Sequence, residues 1–120
     1  MIVLVVEDNP LNQELVTDLL EMAGHTVVSA DSGELALELA RSRELDLILM
    51  DVSLPGRDGL AITAELKADP ATRAIPVVAV TAHSMVKDRE RILASGCDGY
   101  VTKPIDAQTF VTEIEKFTQS

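Results

Sequence analysis

The segment Ile2-Val3-Leu4-Val5-Val6-Glu7-Asp8 places two acids directly after five consecutive apolar residues. Three other short apolar runs also end in a polar residue: Leu47-Ile48-Leu49-Met50-Asp51, Val77-Val78-Ala79-Val80-Thr81 and Gly99-Tyr100-Val101-Thr102-Lys103. Such runs, without polar alternation, are typical of strands buried on both faces of a parallel sheet. Because parallel strands end at one edge, where sites form, the three carboxylates, the hydroxyl and the ammonium group are expected to meet there.

Helical periodicity fills the segments between these runs, so strands and helices are predicted to alternate. Asn9 and Pro10 are expected to begin the first helix, and Gly24 to end it. The apolar stripe predicted for this helix is Leu11, Leu15, Leu19 and Met22. The other predicted elements are strands at 26–30, 46–50, 77–80 and 99–101 and helices at 32–43, 60–68, 84–96 and 106–118.

This alternation predicts an α/β fold, a flavodoxin-like doubly wound parallel sheet of five strands in the order 2-1-3-4-5 with five helices. Residues 1–120 are expected to form a single domain. In this strand order the switch point lies between strands 1 and 3, which carry Glu7-Asp8 and Asp51.

Composition narrows the classes of function. The 120 residues include 20 acidic and 10 basic ones, a formal net charge of −10 without a basic stripe, which argues against nucleic-acid binding. The one cysteine, Cys97, fits a reducing compartment. We find no signal peptide and no apolar run of membrane-spanning length, so a cytoplasmic protein without membrane association is expected.

The acidic cluster predicts a metal site. Glu7, Asp8 and Asp51 would repel one another unless a cation neutralised them, and an all-oxygen site suits Mg²⁺, with Mn²⁺ as the alternative. A purely structural interpretation, in which acids precede a helix N-terminus, accounts for Glu7 and Asp8 but not for Asp51. Lys103 is either an ion-pair partner of these acids or the group that balances a phosphoryl charge. Thr81 is either a hydrogen-bond donor to an anionic oxygen or an ordinary strand-end threonine.

Taken in order, these motifs resemble the receiver domain of bacterial response regulators, the CheY-like superfamily, over essentially the whole chain. The matching stretches are Val5-Val6-Glu7-Asp8-Asn9, Asp46-Leu47-Ile48-Leu49-Met50-Asp51, Leu54-Pro55 with Asp58-Gly59, Val78-Ala79-Val80-Thr81-Ala82 and Lys103-Pro104. Glu7-Asp8-Asn9-Pro10-Leu11-Asn12 is most similar to stand-alone receivers of the DivK type and to receivers of hybrid histidine kinases.

The resemblance implies a phosphoprotein of a two-component system or phosphorelay, in which Asp51 accepts a phosphoryl group from a phosphohistidine. It implies that Asp8, Asp51 and the backbone carbonyl of Ser53 bind Mg²⁺ directly, and that Glu7 acts through water. Lys103 would bind the phosphoryl group. Such a domain is a signalling protein, which catalyses only its own phosphorylation and dephosphorylation.

Other residues acquire roles from the same resemblance. Thr81 and Tyr100 would form a switch pair, although both are also compatible with simple packing. Pro104 would follow a cis peptide bond. Ser53 and His83 border the site and are expected to tune the lifetime of the phosphoryl group.

The partners implied are a histidine kinase or a histidine phosphotransfer protein on the input side. Output is expected through contacts with another protein at the face formed by the fourth helix, fifth strand and fifth helix. This face would include Met85, Val86, Arg89 and Tyr100.

Three alternatives are considered. In the first, the chain is a receiver domain cut from a hybrid kinase or larger regulator. A small Mg²⁺-dependent aspartyl-phosphate phosphatase would need a second Asp two positions after Asp51, where Ser53 stands. A flavodoxin-type electron carrier shares the fold, but Glu7 and Asp8 would repel its phosphate.

Overall fold

The computed structural model describes residues 1–54, 56, 58–82 and 89–118. Strands and helices alternate along the chain as predicted. The elements are β1 (Ile2–Val6), α1 (Pro10–Met22), β2 (Thr26–Ala30), α2 (Gly33–Ser42), β3 (Leu47–Asp51), α3 (Gly59–Ala68), β4 (Val77–Ala82), α4 (Arg89–Ala94), β5 (Gly99–Lys103) and α5 (Phe110–Glu115). No helix in these described ranges is long and apolar enough to cross a membrane.

The strands form one parallel sheet in the order β2-β1-β3-β4-β5, which confirms the predicted fold class. The register aligns the ends of the four strands that carry polar residues. Val6 pairs with Met50, Asp51 pairs with Val80, and Ala82 pairs with Lys103. The residues that end these strands therefore lie along the same edge.

The core consists of two apolar layers, one on each face of the sheet. Successive residues of a strand point to opposite faces, so β1 contributes Leu4 and Val6 to one layer and Val3 and Val5 to the other. Helices α2, α3 and α4 cover the first layer with Ala36, Leu37, Ala40, Ile62, Leu66 and Ile92. Helices α1 and α5 cover the second layer with Val16, Leu20, Phe110 and Ile114. This double coverage explains why the strands read as continuous apolar runs.

The predicted apolar stripe of α1 is wrong. Leu11, Leu15 and Met22 are 76%, 41% and 85% exposed, and only Leu19 of the predicted set packs against the core. The helix instead turns Gln13, Val16 and Leu20 toward the sheet, at positions i, i+3 and i+7. The prediction failed because the inward line contains a polar residue, whose amide is satisfied by backbone carbonyls of the strands.

Two helices in the second half of the chain differ from their predicted bounds. Helix α4 ends at Ala94, before the predicted end at residue 96, and the predicted cap Ser84 lies outside the described part of the chain. Helix α5 has six residues, because the segments on either side form turns. Before α5, the Thr109 amide bonds to the Asp106 carbonyl, and after it the Phe117 amide bonds to the Ile114 carbonyl, both with the three-residue spacing of a turn.

Candidate functional site

Three carboxylates meet at the carboxyl edge of the sheet. Glu7 follows β1 and Asp51 ends β3, and both side chains are buried, with 6% and 3% exposure. Asp8 is exposed at the start of the loop before α1. One oxygen from each of the three carboxylates lies within 4.8 Å of the others. The predicted convergence of these acids is therefore present in the structure.

Lys103, at the end of β5, places its ammonium group between the two buried acids. The Lys103 Nζ lies 3.2 Å from Glu7 Oε1 and 3.3 Å from Asp51 Oδ2. Burial alone lowers the pKa of Lys103, but attraction to Asp51 and Glu7 outweighs burial and raises the pKa above its ordinary value. The lysine is therefore held in its charged form.

The pKa of Glu7 is raised by its surroundings. Burial raises the pKa of its carboxyl group, and the contact with Asp51 raises it further. The Asn9 amide, which donates to Glu7 Oε2 at 3.2 Å, and Lys103 act in the opposite direction without cancelling the rise. The net effect is a pKa for Glu7 above its ordinary value, with burial as the main cause.

The loop after β3 and the first residue of α3 both contact Asp51. The Ser53 amide donates to Asp51 Oδ1 at 3.0 Å. Gly59 packs against the backbone, and a Cβ atom there would lie 2.1 Å from the Asp51 carbonyl oxygen. Asp58, just before it, caps α3 by accepting from the Leu60 amide at 2.8 Å. The sequence marks Gly59 only as part of the family match and does not reveal this close approach.

The loop between β1 and α1 is fixed by a helix cap. Asn9 Oδ1 accepts hydrogen bonds from the amides of Leu11 and Asn12, at 2.9 and 3.2 Å, as the cap prediction requires. The cap sets where the chain leaves the sheet, and Asp8 lies between it and the end of β1. The acidic pair is therefore attached to a defined turn.

Thr81 and Tyr100 lie on the same face of the sheet, on neighbouring strands. Thr81 is fully buried and pairs in register with Thr102, while Tyr100 pairs with Ala79 and is partly buried. Among the residues that the structure describes, the Thr81 hydroxyl donates one long bond, 3.4 Å, to the Ala82 carbonyl. Its hydrogen is thus weakly held at the edge where the acids lie.

The other predicted site residues fall into two groups. The Lys103–Pro104 peptide bond is cis, which is the isomer that the resemblance implied. Arg89 of α4 is exposed. His83, Met85 and Val86 lie outside the described residues.

A cavity of about 130 Å³ continues the site toward α1. Its lining includes Glu7, Lys103 and Pro104 from the edge of the sheet and Asn12 and Leu15 from the helix. The exposed apolar side of α1 is therefore contiguous with the charged cluster.

Comparison with known proteins agrees with this geometry. The sequence matches the response regulator receiver domain family over residues 3–115. It is 47% identical over 115 residues to the polar-differentiation response regulator DivK of Brucella ovis, covering 96% of this chain and 94% of the relative. The DivK protein of Brucella anthropi is 46% identical over the same length and coverage. These relatives do not favour the phosphatase alternative.

Solved structures share the fold. The receiver domain of the sensor histidine kinase PA1611 from Pseudomonas aeruginosa PAO1 has a TM-score of 0.90 at 34% identity, covering 99% of this chain and 98% of that one. That protein has a magnesium ion coordinated in its active-site cleft. The receiver domain of NtrX from Brucella abortus has a TM-score of 0.89 at 27% identity, covering 97% of each chain. The acidic edge with its bridging lysine, the strand order and these relatives agree, and the chain belongs to the response regulator receiver domain family.

Proposed function

We propose that this receiver domain takes a phosphoryl group from a phosphohistidine onto Asp51, and that a histidine kinase or a histidine phosphotransfer protein supplies it. An Asp51 carboxylate oxygen attacks phosphorus, the phosphorus–nitrogen bond breaks, and the imidazole leaves with the bonding electrons and is protonated. The observation that carries this proposal is the placement of Asp51 beside two further carboxylates and the Lys103 ammonium group.

The donor set fits a divalent cation. Three carboxylates and one ammonium group amount to −3 + 1 = −2 when all are ionised. Oxygen ligands of this kind suit Mg²⁺, and Mn²⁺ as the alternative. Asp8, Asp51 and the Ser53 carbonyl would hold the ion, with Glu7 acting through water. When bound, the ion supplies positive charge to the transferring phosphoryl oxygens.

Lys103 has the second role in the transfer. Its ammonium group already lies 3.3 Å from Asp51 Oδ2, on the carboxylate that would become phosphorylated. A phosphoryl group there adds roughly −1.5 to −2 charge and three acceptor oxygens. Lys103 then binds one of these oxygens and balances part of the added charge, which favours transfer onto Asp51.

The phosphoryl oxygens would also attract the Thr81 hydroxyl. This hydroxyl makes the 3.4 Å bond to the Ala82 carbonyl, which a charge-assisted bond to a phosphoryl oxygen would replace. This movement vacates space on the face that Thr81 shares with Tyr100. Phosphorylation would thereby bias an existing equilibrium toward a state in which Tyr100 turns inward and the α4–β5–α5 face changes.

The exposed apolar side of α1 is the proposed docking surface for the phosphohistidine donor. Leu11 is 76% exposed, and Leu15 lines the cavity that continues to Lys103 and Pro104. A donor that covers this surface brings its histidine to the charged edge and excludes water from it. Apolar anchors next to a charged centre are typical of protein interfaces.

Asp51→Asn is expected to abolish phosphorylation, because an amide is a poor nucleophile and leaves no carboxylate oxygen to attack. Intact mass measured after treatment with acetyl phosphate and Mg²⁺ should show one added phosphoryl group on the wild type and none on the variant. Asp18→Asn, an exposed change on α1, is the matched control and should be labelled like the wild type. Labelling of Asp51→Asn, or of the wild type in excess chelator, would contradict the assignment.

Asp8→Asn is expected to weaken Mg²⁺ binding more than Glu7→Gln does, because Asp8 is the proposed direct ligand. The difference in Kd should be about tenfold or more, by analogy with the loss of groups that surround metal ligands. Isothermal titration of Mg²⁺ into each variant measures it. The opposite ranking would mean that Glu7 holds the ion directly.

Thr81→Ala should still accept a phosphoryl group on Asp51 but should transmit little change to the output face, because the hydroxyl that moves is gone. Amide chemical shifts of residues 84–101, compared with and without a phosphoryl mimic in the wild type and the variant, report this. A full wild-type pattern of shifts in Thr81→Ala would disprove the coupling.

Leu11→Glu should slow transfer from a phosphorylated histidine donor, while labelling by acetyl phosphate stays at the wild-type rate. The added charge affects docking and not the chemistry, and the exposed position spares the core. Leu93→Glu, at an exposed leucine of α4, serves as the matched control. If both variants slow transfer equally, α1 has no special part in docking the donor.

A further inference from the structure

Gln13 is the one polar residue on the line of α1 formed by residues 13, 16 and 20, which faces the sheet. Its Nε2 lies 3.2 Å from the Val5 carbonyl oxygen, 3.4 Å from that of Glu7 and 3.5 Å from that of Ala30. One side chain amide thus reaches carbonyls at the ends of both β1 and β2.

The direction of the Gln13 amide is fixed by the three backbone carbonyls that it faces, because a carbonyl oxygen can only accept a hydrogen bond. The Thr17 hydroxyl donates to Gln13 Oε1 at 3.3 Å. The reversed amide would place Oε1 against backbone carbonyls, where two acceptors face each other without a proton. Nε2 must therefore be the atom that faces the strands.

Gln13 holds the acidic loop at both of its ends. The Glu7 carbonyl that its side chain contacts belongs to the peptide bond between Glu7 and Asp8. The backbone amide of Gln13 donates to the Asn9 carbonyl at 2.9 Å. Asp8, the exposed carboxylate, therefore lies between two backbone carbonyls that the same residue engages.

The loop needs such a restraint because its carboxylates repel. Asp8 approaches Glu7 and Asp51 within 4.8 Å, and a cavity of about 370 Å³ beside the loop leaves room for it to move away. A lysine or arginine in place of Gln13 would add a positive charge that competes with a bound cation. The neutral amide restrains the backbone without altering the charge of the site.

We propose that Gln13 is a positioning residue, which fixes the Glu7–Asp8 peptide and thereby sets the affinity of the acidic cluster for Mg²⁺. The inference rests on the proposed magnesium site and extends it to a residue that touches neither the metal nor the phosphoryl group. Groups that orient metal ligands typically contribute 10- to 100-fold in affinity, and a residue acting through the backbone belongs at the lower end of that range.

The test is the Kd for Mg²⁺ of Gln13→Met, measured by isothermal titration on the full chain. Methionine has a similar length and removes the amide donors. We expect Kd to rise about tenfold, with amide chemical shifts of residues 7–9 already altered in the metal-free protein. Thr17→Val, which removes only the hydroxyl that bonds to Gln13 Oε1, should give a smaller rise in the same direction.

Leu20→Ala separates positioning from general packing. Leu20 is fully buried on the same line of α1, so its truncation destabilises the helix–sheet contact without touching the acidic loop. Its Kd for Mg²⁺ should equal that of the wild type at a temperature where both are folded. If Gln13→Met keeps the wild-type Kd, or if Leu20→Ala raises Kd as much as Gln13→Met does, the inference about Gln13 is wrong and the proposed magnesium site is unaffected. Absence of Mg²⁺ binding by the wild type overturns the magnesium site and this inference with it.

Discussion

The contact of one lysine with two buried carboxylates is the interaction on which the rest of the site depends. Lys103 lies within 3.3 Å of both Glu7 and Asp51, which are almost fully buried at the ends of adjacent strands. Buried carboxylates are costly unless they are paired, and removing one partner from such a group leaves an uncompensated charge. The lysine makes the acidic edge compatible with folding, but its single positive charge does not balance three carboxylates. The remaining negative charge is what the proposed divalent cation would balance.

The position of these groups follows from the sheet rather than from the loops. Glu7 directly follows a buried strand, Asp51 ends another and Lys103 ends the partly buried edge strand β5, and the register between strands aligns their ends. The loops add finer restraints. The Ser53 amide and the close packing of Gly59 hold Asp51, and the cap at Asn9 determines where α1 begins.

The sequence predicted the sheet and the meeting of its polar ends because both depend on one simple pattern, a buried run followed by a charge. It predicted the faces of the helices less well. Leu11, Leu15 and Met22 appeared to form the core-facing stripe of α1, but the helix buries Gln13 with Val16 and Leu20 instead. A pattern of apolar residues cannot identify a polar side chain that faces the sheet and is hydrogen-bonded by strand carbonyls. The packing of Gly59 on Asp51 also escaped, because it depends on the path of a loop through space.

The order in which the chain supplies its charges has a consequence for biosynthesis and for partial unfolding. Glu7 lies near the start of the chain, whereas Lys103 comes from β5, an edge strand that pairs with β4 alone. A nascent chain therefore carries its acids long before it carries the base that balances them. Equally, detachment of β5 from the edge removes the ammonium group while β1 and β3 stay paired. If Asp51 accepts phosphate with the help of Lys103, as proposed, only molecules whose last strand is in place would be competent to signal.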